Sequence, residues 1–276
     1  FWIAIEGKKP WSVAGNSVFQ KAEKWTTNHD KSEVEGHLGA FILRRRNQQY
    51  GIEAVTTIFV PNTDDFVELM KISVTNISDK PISFKSYSAT AIFRRHADNF
   101  RDHRQVTTMF QKTFIEEHGV RVKPTIVHDE HGHTVNNTNY AVLGFECNGD
   151  KPTEIWPLMV DFIGEGGSLD NPEAICKNLA APTYNPDEIH GREAIAAMRY
   201  GDKTLDPGET ANYIILHGIT DVVDDIKRWK DNFGNDTLFE KNLKETIQFW
   251  NGVSNSVNFN TVDKNFDNWT KWVTFQ

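Results

Sequence analysis

An antiparallel β-sandwich followed by helices is the fold class this sequence predicts, and three observations predict it. Up to about Thr220 apolar residues alternate with polar ones. The alternating runs end at clusters of Pro, Asp, Asn and Gly. Beyond Thr220 the period lengthens to that of an amphipathic helix. Many short strands with hardly a helical stretch between them point to antiparallel sheets stacked face to face.

The elements follow in order. Phe1 to Ile5 reads as a short strand, stopped by the turn Glu6-Gly7-Lys8-Lys9-Pro10. From Gly51 to Pro61, Ile52, Ala54, Thr56 and Ile58 alternate with Glu53, Val55, Thr57 and Phe59, and Pro61 to Asp65 closes the run as a turn. Phe66 to Asn76 and Ile82 to Phe93 are two further strands, joined through Ser78-Asp79-Lys80-Pro81. Later strands are expected at Val120 to His128, Tyr140 to Cys147, Ala194 to Tyr200 and Ala211 to His217, the last entered through the turn Asp206-Pro207-Gly208-Glu209.

After Thr220 the spacing predicts a short helix capped by Asp221 and running through Ile226 and Trp229. Asp236 opens a longer helix with Phe239, Leu243, Ile247 and Trp250 on one stripe, and i,i+4 pairs of Glu240 with Lys244 and of Lys241 with Glu245 on its outside. Val253 to Phe259 reads as extended. Asp263 then caps a last helix whose Phe266, Trp269, Trp272 and Val273 recur at helical spacing, with no Gly, Asn or Pro to close it. A helix presenting two tryptophans in mid-pattern is expected to meet a partner surface, so the chain is read as a fragment of something longer.

The 276 residues are 38% apolar and 25% charged, the proportions of a folded globular protein. A net charge of −8 argues against nucleic acid as a partner, and no apolar run reaches membrane-spanning length. The chain opens without the basic and apolar regions of a signal peptide. Cys147 and Cys176, the two cysteines, are too few for a disulfide framework and lack metal-ligand spacing, so a reducing, cytoplasmic setting is expected. Asn-x-Ser/Thr sequons at Asn76, Asn136, Asn235 and Asn268 read as chance matches in an Asn-rich chain.

The most informative stretch is Arg94 to Arg104, with four arginines, two histidines and two aspartates directly after a strand-like run. Guanidinium forks beside carboxylates grip sugar hydroxyls and phosphate oxygens with directed hydrogen bonds. The bland alternative is a charged interface in which Asp98 and Asp102 pair with arginines, but exposed ion pairs stabilise little, so an anionic or polyhydroxy ligand is favoured. His128-Asp129-Glu130-His131-Gly132-His133 offers three histidines, yet matches no zinc pattern and reads as a polar hairpin turn. Gly164-Glu165-Gly166-Gly167-Ser168 lacks the Lys-Ser/Thr of a phosphate loop. It is read either as a surface loop or as one shaping the mouth of a neighbouring site. No nucleophile elbow is present, and no carboxylate pair stands out among the acidic residues.

A set of longer motifs then occurs in order: Trp11-Ser12-Val13-Ala14-Gly15-Asn16, Phe59-Val60-Pro61 with Val67-Glu68-Leu69-Met70-Lys71, Ala97-Asp98-Asn99-Phe100-Arg101-Asp102-His103-Arg104, Gly119-Val120-Arg121-Val122-Lys123-Pro124-Thr125, Asp129-Glu130-His131-Gly132-His133, and Asp161-Phe162-Ile163-Gly164-Glu165-Gly166-Gly167-Ser168, closing on Phe266-Asp267-Asn268-Trp269-Thr270-Lys271-Trp272-Val273. Over essentially its whole length the chain resembles the N-terminal part of the β-1,2-oligoglucan phosphorylases of glycoside hydrolase family 94, which also holds the cellobiose phosphorylases.

The resemblance implies a galactose mutarotase-like β-supersandwich over residues 1–220, a helical linker over 221–262, and at 263–276 the first helix of a truncated (α/α)6 barrel. It implies that inorganic phosphate attacks the anomeric carbon of a β-1,2-linked glucooligosaccharide with inversion, giving α-glucose 1-phosphate, without a cofactor. The one carboxylic acid needed is expected beyond Gln276, so no residue here is expected to be catalytic. In cellobiose phosphorylases an Asn-Phe-Gln-Arg segment helps to hold phosphate and acceptor sugar. It matches Asn99-Phe100-Arg101-Asp102, where Arg-Asp replaces Gln-Arg. Arg101 and Arg104 are expected to donate to phosphate or sugar oxygens, Asp102 to accept from a hydroxyl or orient an arginine, and His103 to shape the acceptor site. A homodimer is implied, in which Gly164 to Ser168 could act across an interface. Two other readings remain: a stand-alone carbohydrate-binding or interaction module, and an aldose epimerase-like enzyme, which needs a His/Glu pair on a concave sheet face.

Overall fold

The computed structural model describes residues 1–93, 108–129, 132–256 and 259–273. Strands are numbered in chain order. An eight-stranded sheet runs β3 (Lys31–His37), β4 (Ala40–Asn47), β5 (Ile52–Phe59), β6 (Val67–Asn76), β16 (Thr210–Thr220), β12 (Asn139–Glu146), β9 (Gly119–Pro124), β8 (Gln111–Glu116). A six-stranded sheet runs β13 (Glu154–Leu158), β14 (Ala194–Arg199), β7 (Ile82–Ala91), β1 (Trp2–Ile5), β2 (Trp11–Ser12), with β15 (Lys203–Leu205) also paired to β7. The hairpin of β10 (Ile126–Asp129) and β11 (Gly132–Val135) stands apart. Among the described residues every ladder is antiparallel, as the alternating pattern predicts.

Alternation places the core. On β16, Tyr213 and Ile215 point between the sheets, where they meet Ile72, Val74, Val142 and Met198. Ile214 and Leu216 point the other way, into a second cluster with Trp229, Phe233 and Phe239 of the helices Asp224–Phe233 and Asp236–Ser254. A third cluster, around Trp2, Tyr87, Trp156 and Phe162, lies beneath the short helices Met159–Ile163 and Glu173–Cys176. Helices therefore cover both sheets from outside. Each fully buried Ile, Leu or Phe contributes about 1.5–3 kcal/mol relative to exposure, which fixes the register, since a one-residue slip would turn every such side chain outward.

The helical region departs from expectation in three places. Asp221 caps nothing: the helix starts at Asp224 without a side-chain cap, and Thr220 shapes the entry by accepting the Val222 N–H at 3.0 Å. The longer helix does begin at Asp236 as expected, capped by Asn235, one of the sequon asparagines, which accepts the Leu238 N–H at 3.0 Å. Glu240 pairs with Lys71 of β6 and not with Lys244, while Lys241 and Glu245 approach to 4.0 Å. Val253 and Ser254 continue the helix where an extended segment was expected. Asp263 does cap the helix Lys264–Val273, accepting from Asn265 N–H at 2.9 Å.

Several elements carry no sequence signal. β3 is exposed along its length, so it lacks an apolar face. Its partner β4 is anchored through Arg44 and Arg46, which both pair with Glu53 of β5. The helices Val18–Glu23, Met159–Ile163 and Glu173–Cys176 are too short to show a helical period.

Candidate functional site

Strand β7 leads into the arginine-rich segment, and its last residues locate where that segment begins. Ile92 is buried and donates its N–H to Ala194 O at 3.2 Å, while Phe93 is half exposed at the lip of a cleft of about 520 Å³. Arg101, Asp102, His103 and Arg104, with the rest of residues 94–107, lie outside the described residues.

The cleft opens between the ends of the two sheets. The β6–β16 ladder sets Glu68 directly opposite His217, both on the side facing the other sheet. His217 Nδ1 lies 3.2 Å from Glu68 Oε1, and its Nε2 lies 3.2 Å from Thr90 Oγ1 on β7. With Nδ1–H donating to the carboxylate, Nε2 accepts from the Thr90 hydroxyl, so the imidazole bridges the sheets. The hydrogen bond from His217 holds the Glu68 carboxyl below the usual carboxylate range, against a smaller opposing effect of burial. Glu68 therefore stays an anion at neutral pH. Tyr140, Val142 and Phe66 complete the walls.

A second cleft, of about 490 Å³, shares Val60 and Glu68 with the first. Trp272 closes it edge-on against Phe41, ring centroids 6.3 Å apart at 85°. Gly39 has φ +86°, and a Cβ there would sit 2.4 Å from Trp250 Cδ1, so conformation and proximity both require glycine.

The remaining sequence candidates lie elsewhere. The histidine-rich stretch is a hairpin, with His128 opposite His133 and Asp129 opposite Gly132. Glu130 and His131 fall outside the described residues. In the glycine-rich loop, Gly164 (φ +88°) ends the helix Met159–Ile163 and Gly167 N–H bonds back to Gly164 O at 3.1 Å. That loop joins the helices on the outer face of the six-stranded sheet, and none of its residues lines either cleft. Cys147 and Cys176 are free thiols. Asn76 is fully buried and donates to Lys80 O and Leu205 O, a structural asparagine.

Sequence reasoning missed the Glu68–His217 pair, whose members are 149 positions apart. A faint signal was present. His217 takes the next inward position after Ala211, Tyr213 and Ile215, where an apolar residue would continue the pattern.

The family model described as "Glycosyl hydrolase 94, supersandwich domain" matches residues 5–236. Among solved structures, a bacterial glucoamylase complexed with acarbose superposes with a TM-score of 0.53 at 9% identity, over 93% of this chain and 31% of that one. A polysaccharide lyase matches at a TM-score of 0.36 and 14% identity, over 68% of this chain and 22% of its own. A heparinase III gene product matches at 0.34 and 10%, over 72% and 23%. The chain thus spans about a third of the glucoamylase, and at such identity the likeness is one of fold. No functionally curated protein matches it.

Proposed function

The chain belongs to the glycosyl hydrolase 94 supersandwich-domain family, and from that premise we propose that it is the N-terminal domain of an inverting glycoside phosphorylase acting on β-1,2-linked oligoglucans. The observation that carries the reading is the family match over residues 5–236, joined to the motif Arg101-Asp102-His103-Arg104 that follows β7. In this reading residues 1–220 are the supersandwich, 221–262 the linker, and the helix at Lys264–Val273 the first of an (α/α)6 barrel. Phosphate oxygen forms a bond to the anomeric carbon as the glycosidic oxygen leaves, taking a proton from a carboxylic acid supplied beyond Gln276. Phosphate is already anionic, so no base is needed to activate it. Arg101 and Arg104 hold phosphate or sugar oxygens as bidentate donors, Asp102 accepts or orients, and His103 shapes the acceptor site. The enzyme works in the cytoplasm as a homodimer.

A second reading is favoured by one observation. Trp25 is 88% and Trp269 is 58% exposed, as stacking platforms of a binding module would be. One assay separates the two. The full-length protein, given phosphate and a β-1,2-oligoglucan, should release α-glucose 1-phosphate, and the 276-residue chain alone should release none. No release by the full-length protein leaves the binding module.

A further inference from the structure

We propose that β3 is the docking edge for a second copy of this chain, with the stretch Lys31 to Glu35 pairing antiparallel with its own counterpart about a two-fold axis at Glu33. The inference rests on the homodimer reading above for the two copies, whose meeting face it names. Phosphorolysis plays no part in it.

The edge itself comes first. β3 ends the eight-stranded sheet, and all seven of its residues are exposed, Val34 by 70%. Among the described residues its ladder is to β4, so its far side offers backbone N–H and C=O groups to a further strand. Charges on an edge commonly bar such pairing. Here they complement themselves in one register and so select it.

The ladders show which register. Lys31 stands opposite Arg46, and Arg46 opposite Glu53, while Glu33 stands opposite Arg44 on the same face. Glu53, its side chain 11% exposed, holds Arg44 at 3.0 Å and Arg46 Nε at 2.8 Å. One carboxylate thus serves two guanidinium groups, and Lys31 adds a third positive charge beside them. Lys31, Glu33, Arg44 and Arg46 line a hollow of about 250 Å³ along the edge. A carboxylate from outside balances it. With Glu33 on the axis, Glu35 of the partner subunit falls opposite Lys31 and next to Arg46, and the symmetry makes this pair twice. The two Glu33 side chains meet at the axis, each flanked by its own Arg44. A register centred on Val34 would set Glu33 against Glu35 twice, which is unfavourable. It would also carry the partner strand past Gly36, where a Cβ would already sit 3.3 Å from the Trp272 ring.

The test is sedimentation velocity on the 276-residue chain at increasing concentration. A weak, reversible dimer is expected, since so short a pairing buries less than the roughly 1,200 Å² of a stable interface. Lys31→Glu and Glu35→Lys, both on an exposed strand, should each weaken the dimer about tenfold or more by setting like charges opposite. The double variant Lys31→Glu with Glu35→Lys restores opposite charges and should recover it. Thermal melts establish that all three remain folded. A chain that stays monomeric overturns the proposal and leaves the edge to another acidic strand. A dimer indifferent to the single reversals, or one that the double variant fails to recover, also overturns it. In the full-length protein, a homodimer unaffected by Lys31→Glu would sink this face alone, whereas a monomer would sink the homodimer reading itself.

Discussion

The indole N–H of Trp229 donates to the Asp65 carboxylate at 3.0 Å, fastening the helix Asp224–Phe233 to the turn between β5 and β6. Arg228, on the same helix, reaches the same oxygen. One carboxylate, its side chain 10% exposed, thus ties two elements 164 positions apart.

Asp65→Ala should lower stability by roughly 1–3 kcal/mol, because it leaves the buried Trp229 donor without its acceptor. Arg228→Ala removes half-exposed ion pairs to Asp65 and Asp225 and should cost distinctly less. Urea unfolding of the two variants makes the comparison. Equal losses would mean that the indole bond carries no special weight.

Gly218 lies on β16 beneath the Trp229 ring, and a Cβ there would come within 2.4 Å of it. Gly218→Ala should cost about 1–3 kcal/mol by overpacking. Gly252, in the helix Asp236–Ser254, has nothing within 4 Å, and Gly252→Ala should raise stability by roughly 0.5–1 kcal/mol. Opposite shifts in thermal midpoint are expected from the same chemical change. Shifts of one sign would contradict the packing described.

His118 predicts a pH dependence. Its ring is buried against Phe145, and burial, helped by the positive charges of Lys230 and Lys151, lowers its pKa, outweighing the Gly144 carbonyl and Glu117. The unfolded chain then takes up a proton that the folded one resists. The stability linked to this group is full above about 6.5, the ordinary histidine value, and falls as pH drops through it towards the lower folded value. Wild type should lose stability between about pH 8 and about pH 5.5 relative to His118→Gln, whose curve lacks this component. Parallel melting curves for the two proteins across that range would refute the assignment.

In the full-length protein, Arg104→Ala should reduce kcat/KM for phosphorolysis at least tenfold, about 1.4 kcal/mol of transition-state binding. Steady-state assays with the variant shown to be folded are the check. Unchanged kinetics would take the segment out of the site.

Strands with one apolar face turned to each neighbouring layer were legible in the sequence. β5, β6, β7, β12, β14 and β16 all appear within a few residues of where alternation places them. β3 was not, because a strand exposed on both faces leaves no hydrophobic period and is held in the sheet by its ladder to β4. The charge pair of Glu240 with Lys244 follows from helical spacing, yet Lys71, only 12% exposed and lying beneath the helix, takes Glu240 and Asp236 instead. Desolvation opposes the charge on Lys71, and these two acceptors more than restore it, so its pKa is raised. The same limit applies to the cleft. Local pattern shows that His217 breaks an apolar run, but only the register of two distant strands reveals that Glu68 stands opposite.

The placement of β16 has a consequence for biosynthesis. It sits between β6 and β12, so the wide sheet is two separate pieces until Thr210–Thr220 arrives. A ribosome must therefore deliver the chain through Thr220 before either piece finds its central neighbour. During that interval both inner borders offer unsatisfied amides to any passing strand, and chaperone attendance is most needed then.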